Sequence, residues 1–170
     1  MRFARAASVS AAWLALSCGA ALGAEPAVID LPSIGLAAAV TAADAALQKC
    51  RSLGALVAVA VTDRSGTVLV VLRDPLAGPH TPDAATRKAW TAASFRNATT
   101  ALERATGPGT DSNGIRQLPG VAMVGGGIPV TAAGRQLGAI GVSGAPGGQI
   151  DESCAKAGLA AIQDELELSR

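Results

Sequence analysis

The sequence predicts an α+β domain in which helices pack against a five-stranded antiparallel sheet, in the order α-β-β-α-β-β-β-α. Three observations predict this fold class. Apolar residues recur at helical spacing in three segments. Short apolar or β-branched segments lie between these helices and are bounded by turn sequences. Because neighbouring strands are connected tightly, we expect hairpins, and hairpins produce an antiparallel sheet.

Three helices are predicted from the recurrence of apolar side chains. The first covers residues 33–51, between Pro32 at its start and Gly54 at its end. The second follows a loop rich in proline and glycine, and its apolar stripe consists of Ala85, Ala89, Ala92 and Phe95. The third begins near Asp151, where an acidic side chain suits the positive end of the helix dipole.

The five predicted strands are residues 56–62, 67–72, 121–124, 128–131 and 136–143. The first two flank a turn at 63–66, and their nearly continuous hydrophobicity indicates that both faces of this hairpin are covered. Glycines at 125–127 separate the third and fourth strands, and we expect them to supply a tight hairpin or bulge with positive φ. Residues 106–120 show no period and are predicted to form a long loop, a kind of segment that is often functional.

The first 24 residues have the three parts of a secretory signal. Arg2 and Arg5 precede an apolar stretch, and small residues follow up to Ala24. The stretch is shorter than the roughly 18–20 apolar residues of a membrane anchor, so we expect no membrane span in the mature chain. Residues 25–170 are therefore predicted to form a single domain of a periplasmic or secreted protein. Cys18 leaves lipidation as the minor alternative.

The charge and the composition of the chain indicate which kinds of molecule it binds. The chain has 14 basic and 13 acidic residues, and removal of the leader with its two arginines leaves 12 basic residues and a formal charge of −1. Such a balance gives no general affinity for nucleic acid. Aromatic residues are scarce, while alanine, valine, leucine and glycine are abundant. We therefore expect stability from close backbone packing and from homo-oligomerisation.

Two cysteines remain after export, Cys50 and Cys154. An oxidising compartment favours a disulfide bond between them. Cys50 lies in the last turn of the first predicted helix and Cys154 in the first turn of the last one. Two helices packed antiparallel on one face of the sheet would bring these ends together. Two buried free thiols are the alternative.

Five segments carry a resemblance to a known family. They are Arg73-Asp74, Arg87-Lys88-Ala89-Trp90-Thr91-Ala92 with Phe95, Gly126-Gly127-Ile128-Pro129-Val130, Gly138-Ala139-Ile140-Gly141-Val142-Ser143-Gly144, and Asp151-Glu152. In these segments the mature chain resembles the GlcG/HbpS family along nearly its whole length. The resemblance implies a profilin-like fold and associates the chain with heme binding, oligomerisation and, in secreted relatives, redox sensing or heme handling. Other members accompany oxidation enzymes or are fused to cobalamin enzymes.

The resemblance directs attention to His80, the only histidine of the chain. It is the candidate axial ligand, because imidazole is the commonest protein ligand to heme iron. A solvated loop histidine is the equal alternative. Arg87 and Lys88 follow it closely and are candidate partners for heme propionates. In the alternative interpretation, one of these two side chains is solvated and the other pairs with Asp74 or Asp83.

Other motifs do not define an active site. The glycines at 125–127 lead into a strand and not into a helix, so they are not a nucleotide loop. Residues 144–148 do open a helix and could hold an anion, but Asp151 and Glu152 already place negative charge there, which favours a capping role. The sequence around Ser143 lacks the last glycine of a hydrolase elbow. One histidine and two bridged cysteines cannot supply a structural zinc site.

The sequence therefore favours a ligand-binding module over an enzyme. The leading hypothesis is an exported heme-binding protein that acts in heme storage, transfer or sensing, with a periplasmic redox enzyme or sensor as partner. The alternative is a protein that binds a small organic acid, or an accessory subunit, in a periplasmic oxidation pathway.

Overall fold

The structure, a computed structural model, describes residues 26–169. The predicted secretory signal, residues 1–24, lies outside the described residues. The helices are α1 (Leu36–Ser52), α2 (Thr81–Phe95), α3 (Thr99–Ala105), α4 (Gly148–Ala160) and α5 (Gln163–Leu168). The strands are β1 (Ala58–Asp63), β2 (Val68–Arg73), β3 (Gly127–Ala132) and β4 (Arg135–Ser143). Within residues 26–169, no helix combines the length and the apolar composition needed to cross a bilayer.

The described strands form one antiparallel sheet in the order β2-β1-β4-β3. The central strands β1 and β4 pair from Ala58 opposite Ser143 to Asp63 opposite Gly138. β2 and β3 are the edge strands. β3 contains Pro129, and proline is tolerated in a sheet at an edge because it has no N–H to donate.

The sheet contains four strands, so the prediction of five was wrong. Residues 121–124 belong to no strand in the described sheet. Their backbone is held in other ways, since the Val121 N–H donates to the Leu118 carbonyl oxygen over 3.3 Å and the Ala122 N–H donates to Thr91 Oγ1 over 2.9 Å. Only Met123 of this segment is buried, at 4% exposed, whereas Val124 is 48% exposed. An apolar run alone does not establish strand pairing.

The helical pattern was predicted in part. α1, α2 and α4 lie where apolar periodicity predicts helices. α3 and α5, of seven and six residues, are too short for a period to be recognised and were not predicted. The predicted loop at 106–120 contains a short 3₁₀ helix at Asn113–Gln117.

The sheet lies between two helical layers. One face packs on α1 and α4 through Val59 and Val61 of β1 and Ile140 and Val142 of β4. The other face packs on α2, with Ala58 and Ala60 of β1 against Ala85 and Ala89. Both faces of β1 are therefore covered, as its continuous hydrophobicity predicts. β2 departs from that prediction, because Val68 and Val71 at the edge remain 41% and 40% exposed.

α2 approaches the sheet closely because only small residues lie between them. A Cβ on Gly141 would collide with the Ala85 carbonyl oxygen and the Ala89 amide nitrogen. In the other layer, a Cβ on Gly158 of α4 would collide with the Ala42 carbonyl oxygen of α1. Close contact between backbone atoms provides dispersion attraction, which large aromatic side chains provide in other protein cores.

Cys50 and Cys154 form the predicted disulfide, with a Cα–Cα distance of 5.4 Å. Both residues are fully buried. Cys50 lies in the last turn of α1, whereas Cys154 lies in the second turn of α4, because that helix begins before Asp151. The bridge joins residues 104 positions apart, so it removes much of the conformational freedom of the unfolded chain.

Loss of this bridge is expected to destabilise the protein strongly. Closure of so long a loop contributes about 4–5 kcal/mol in the chain-entropy model. Urea unfolding should show a decrease of that order in the free energy of unfolding when a reductant is added. The variant Cys50→Ala/Cys154→Ala is the control, and it should be as unstable as the reduced protein and insensitive to reductant. Equal stability of the oxidised and reduced proteins would contradict the prediction.

Candidate functional site

One side of α2 forms the wall of an open groove. His80, Ala84 and Lys88 are four residues apart, so they lie on the same side of the helix. The rest of the lining comes from Ala122 and Val124 and from the end of β4, the start of α4 and the connection between them. The groove has a volume of about 370 Å³, and its lining is mostly small or apolar.

His80 immediately precedes α2, and its side chain is exposed at the groove. The imidazole makes no capping hydrogen bond to the helix. The ring lies over Gly78, since a Cβ on that residue would be 2.7 Å from Cε1, 2.9 Å from Nδ1 and 3.7 Å from Nε2 of His80. Glycine at position 78 therefore leaves room for the ring, and Nε2 is the ring nitrogen farther from this Cβ position.

Lys88 and Asp151 form a buried ion pair that also lines the groove. Lys88 Nζ donates to Asp151 Oδ2 over 2.7 Å and to the Val142 carbonyl oxygen over 2.9 Å. The Lys88 and Asp151 side chains are only 6% and 4% exposed. Asp151 Oδ1 accepts the Ala145 N–H over 3.0 Å. The pair thus joins α2, the end of β4 and α4, and it leaves the third N–H of the ammonium group without a partner among the described residues.

The two neighbouring carboxyl groups at the start of α4 have different electrostatic surroundings. Burial raises the pKa of Asp151, and the Lys88 ammonium and the Ala145 N–H counteract only part of this effect. Burial also acts to raise the pKa of Glu152, but the hydrogen bond and charge of Lys156, with further contributions from the Thr100 hydroxyl and the Arg104 charge, outweigh it and lower that pKa. The Asp151 carboxylate is therefore stabilised by the buried Lys88 ammonium group, whereas Glu152, which is 15% exposed, pairs with the more exposed Lys156.

Gly126 fits directly against the buried ion pair. Its φ is +119°, and a Cβ there would be 2.7 Å from Asp151 Cβ and 3.1 Å from Lys88 Nζ. The next residue, Gly127, donates its N–H to Thr99 Oγ1 over 2.8 Å. The predicted positive φ in this segment is confirmed, but it serves close packing on the ion pair and not a hairpin turn.

Of the three residues that the sequence predicts to bind a ligand, the structure places two at the groove. His80 and Lys88 line the groove, whereas Arg87 does not. Arg87 Nε donates to Asp83 Oδ2 over 2.8 Å, and these two side chains are 50% and 68% exposed. The alternative, in which one of the two basic side chains pairs with Asp83, is correct for Arg87. Lys88 is neither solvated nor paired with Asp74, because it pairs with Asp151 and Asp74 pairs with Arg51.

Sequence reasoning missed the partnership of Lys88 with Asp151. The position of Asp151 at the start of the last predicted helix favoured a capping role, and Asp151 does lie in the first turn of α4. The sequence nevertheless indicated that Lys88 is buried, because this residue is adjacent to Ala85 and Ala89 on the predicted buried stripe of the helix. A lysine in such a position requires a buried partner.

The fold and the groove define an α+β protein with an open groove beside the first turns of a helix that packs on the sheet. The model of a protein family described as "Haem degrading protein HbpS-like" matches residues 34–160. The chain therefore belongs to the HbpS-like family, which confirms the resemblance found in its sequence motifs.

Two relatives from Citrobacter freundii match most of this chain. An uncharacterized 15.0 kDa protein from the dhaT-dhaS intergenic region is 33% identical over 117 residues, which are 68% of this chain and 82% of that protein. The corrinoid adenosyltransferase PduO is 34% identical over 120 residues, which are 69% of this chain and 36% of that enzyme. The chain thus corresponds to only part of the adenosyltransferase.

Several solved structures share the fold. A double mutant of HbpS from Streptomyces reticuli superposes with a TM-score of 0.76 at 38% identity, covering 94% of this chain and 99% of HbpS. ORFY of Klebsiella pneumoniae gives a TM-score of 0.79 at 29% identity, covering 83% and 98%. A PduOC:heme complex gives a TM-score of 0.72 at 29% identity, covering 76% and 95%.

Replacement of Lys88 by methionine is expected to lower the free energy of unfolding by about 3–5 kcal/mol, because it leaves the Asp151 carboxylate buried without a counter-charge. The double variant Lys88→Met/Asp151→Asn should recover part of that loss. Arg87→Met is the matched control, since Arg87 forms an exposed pair with Asp83 and its loss should cost less than about 1 kcal/mol. Urea unfolding of the four proteins measures these differences, and equal losses for Lys88→Met and Arg87→Met would refute the predicted burial effect.

Proposed function

We propose that this chain is an exported heme-binding protein that stores, transfers or senses heme, with His80 as the axial ligand. The observation that carries the proposal is the exposed imidazole at a groove of small and apolar residues, in a chain that belongs to the HbpS-like family. The complex of the relative PduOC with heme supports the same ligand class. A bound heme would supply an iron centre for ligand binding or electron transfer.

The residues of the groove fit one side of a porphyrin. An imidazole is a donor that heme iron accepts, and His80 is not engaged as a helix cap. Ala84, Ala122 and Val124 provide apolar surface beside it, with Val124 48% exposed. Because the groove is open, it would cover only part of the macrocycle, and a second subunit would be needed to cover more.

Two basic residues remain candidates for the propionate groups. Lys88 lines the groove and retains one N–H beyond those that bind Asp151 and Val142. Arg87 lies outside the groove, but its exposed pair with Asp83 is of a kind that contributes at most about 1 kcal/mol. A propionate could therefore displace Asp83 from Arg87 at little cost.

We also propose that the mature chain is exported and forms a homo-oligomer, with a periplasmic redox enzyme or sensor as partner. The Cys50–Cys154 disulfide supports an oxidising compartment. Exposed apolar side chains on α1 and β2 support subunit contact, and they are Leu36, Val40, Val68 and Val71.

Protein recovered from the periplasm or the medium should begin near residue 25, and its mass by light scattering should be a multiple of that of the mature chain. N-terminal sequencing and light scattering of one sample test both expectations, because export removes the leader and assembly buries the exposed apolar surface. An uncleaved cytoplasmic chain would contradict export, and a monomer at all concentrations would contradict assembly.

Absorbance titration of the mature protein with hemin tests the proposed ligand. The wild-type protein should give a saturable Soret shift. His80→Ala should alter the bound spectrum and weaken binding at least about tenfold, since even the loss of a residue that supports a metal ligand costs 10–100-fold in affinity. Gly78→Ala should have a smaller effect in the same direction, because its Cβ would displace the imidazole without removing it.

Leu76→Ala is the matched control for these variants, because Leu76 lies in the same loop, is 83% exposed and does not line the groove. It should bind hemin as the wild type does. An unchanged spectrum and affinity in His80→Ala would show that His80 is not the ligand. A wild-type protein without a saturable shift would contradict heme binding and favour the small-acid or accessory-subunit alternative.

A further inference from the structure

A second groove lies at the opposite end of α2 from His80. It has a volume of about 430 Å³, and its lining is dominated by arginines and other polar residues. The lining residues are Arg64, Arg96, Thr131, Gly134, Arg135 and Gln136. α2 contains 15 residues and is therefore about 22 Å long, so this groove is separate from the proposed heme site.

The three arginines come from three separate parts of the chain. Arg64 belongs to the turn between β1 and β2, Arg96 follows the last residue of α2, and Arg135 begins β4. The chain as a whole has a formal charge of only +1. The presence of three arginines among the residues that line one groove is therefore a local feature and not a consequence of a basic composition.

No arginine of this groove forms an ion pair within residues 26–169. The adjacent acid, Asp63, forms no ion pair with these arginines. Its Oδ1 accepts the N–H groups of Ser65 and Thr67 within the turn over 2.8 and 2.9 Å. Glu165 lines a neighbouring groove together with Arg135 but does not pair with it. The positive charge of the groove is thus available to a ligand.

The backbone at Arg96 supports a role for its side chain. Arg96 is the residue that ends α2 and has φ +52° and ψ +35°. Glycine is the residue that usually adopts this left-handed conformation after a helix. An arginine at this position keeps a charged side chain at the groove despite a backbone that would favour glycine.

Gln136 also lines this groove. Its Nε2 donates to the Ala93 carbonyl oxygen over 2.8 Å, which anchors the amide to α2. Its Oε1 is buried and has no hydrogen-bond partner among the described residues. The buried amide therefore forms part of the groove wall, and the arginines supply the charged donors for a ligand.

We propose that the groove formed by Arg64, Arg96 and Arg135 binds a small multivalent oxyanion, either a phosphate compound or a polycarboxylate. Guanidinium groups bind both kinds of oxyanion through paired N–H donors. A volume of about 430 Å³ lies in the range of roughly 300–1,000 Å³ that is usual for small-molecule pockets. The proposal does not depend on heme binding, because it uses neither His80 nor Lys88.

Isothermal titration of the intact mature protein at low ionic strength tests the proposal, with pyrophosphate and citrate as probes and acetate as the monovalent control. At least one multivalent probe should bind saturably at one site per chain, and added salt should weaken it. Binding of pyrophosphate alone would identify a phosphate ligand, and binding of citrate alone would identify a polycarboxylate. Binding of neither probe beyond the acetate control would overturn the proposal.

The variants separate ligand binding from folding. Arg64→Ala and Arg135→Ala should each weaken binding about tenfold, since one hydrogen bond to a charged group is worth at least that factor. Arg96→Gly should weaken binding while leaving the melting temperature unchanged or higher, because glycine relieves the left-handed backbone. Arg104→Ala, which removes an exposed arginine of α3 outside the groove, is the control. An equal loss of affinity in Arg104→Ala would reduce the effect to net charge and overturn the site.

Discussion

The buried ion pair between Lys88 and Asp151 is the interaction on which the arrangement of the groove depends. A charge placed in a protein interior is costly unless a partner and further hydrogen bonds compensate for it. Here the compensation comes from three separate parts of the chain, namely α2, the end of β4 and the first turn of α4. These parts, together with the connection between β4 and α4, also carry most of the groove lining. The requirement to satisfy the Lys88 ammonium group therefore fixes the positions of the groove walls relative to one another.

Small residues make this arrangement possible. Gly126 leaves space for the ion pair, and Gly141 lets α2 settle against the sheet at the positions of Ala85 and Ala89. Because α2 is held at this short distance, the residues at its two ends have defined positions relative to the sheet. The scarcity of aromatic side chains in this sequence is thus linked to a close-packed architecture, in which backbone contact replaces the filling of space by large rings.

The sequence predicted those features that depend on local pattern. The periodicity of α1, α2 and α4 and the turns beside β1, β2 and β4 are local, and they indicate the elements correctly. The pairing of residues 121–124 could not be judged locally, since an apolar run is compatible with a strand or a packed loop. Lys88 and Asp151 are 63 residues apart, and only the packing of α2 and α4 with the sheet brings them together. The convergence of Arg64, Arg96 and Arg135 depends on the same three-dimensional packing.

The two edges of the sheet are not equivalent. Pro129 lies in β3, where a missing N–H interrupts any continuous row of donors, whereas β2 contains no proline and exposes part of its apolar surface. Growth of a fibril by strand addition requires two edges that can accept a neighbour. A chain with one permissive edge can join a second copy there by two-fold symmetry, and the resulting pair has no equally permissive edge left to extend. The position of a single proline thus favours closed assemblies over open-ended ones.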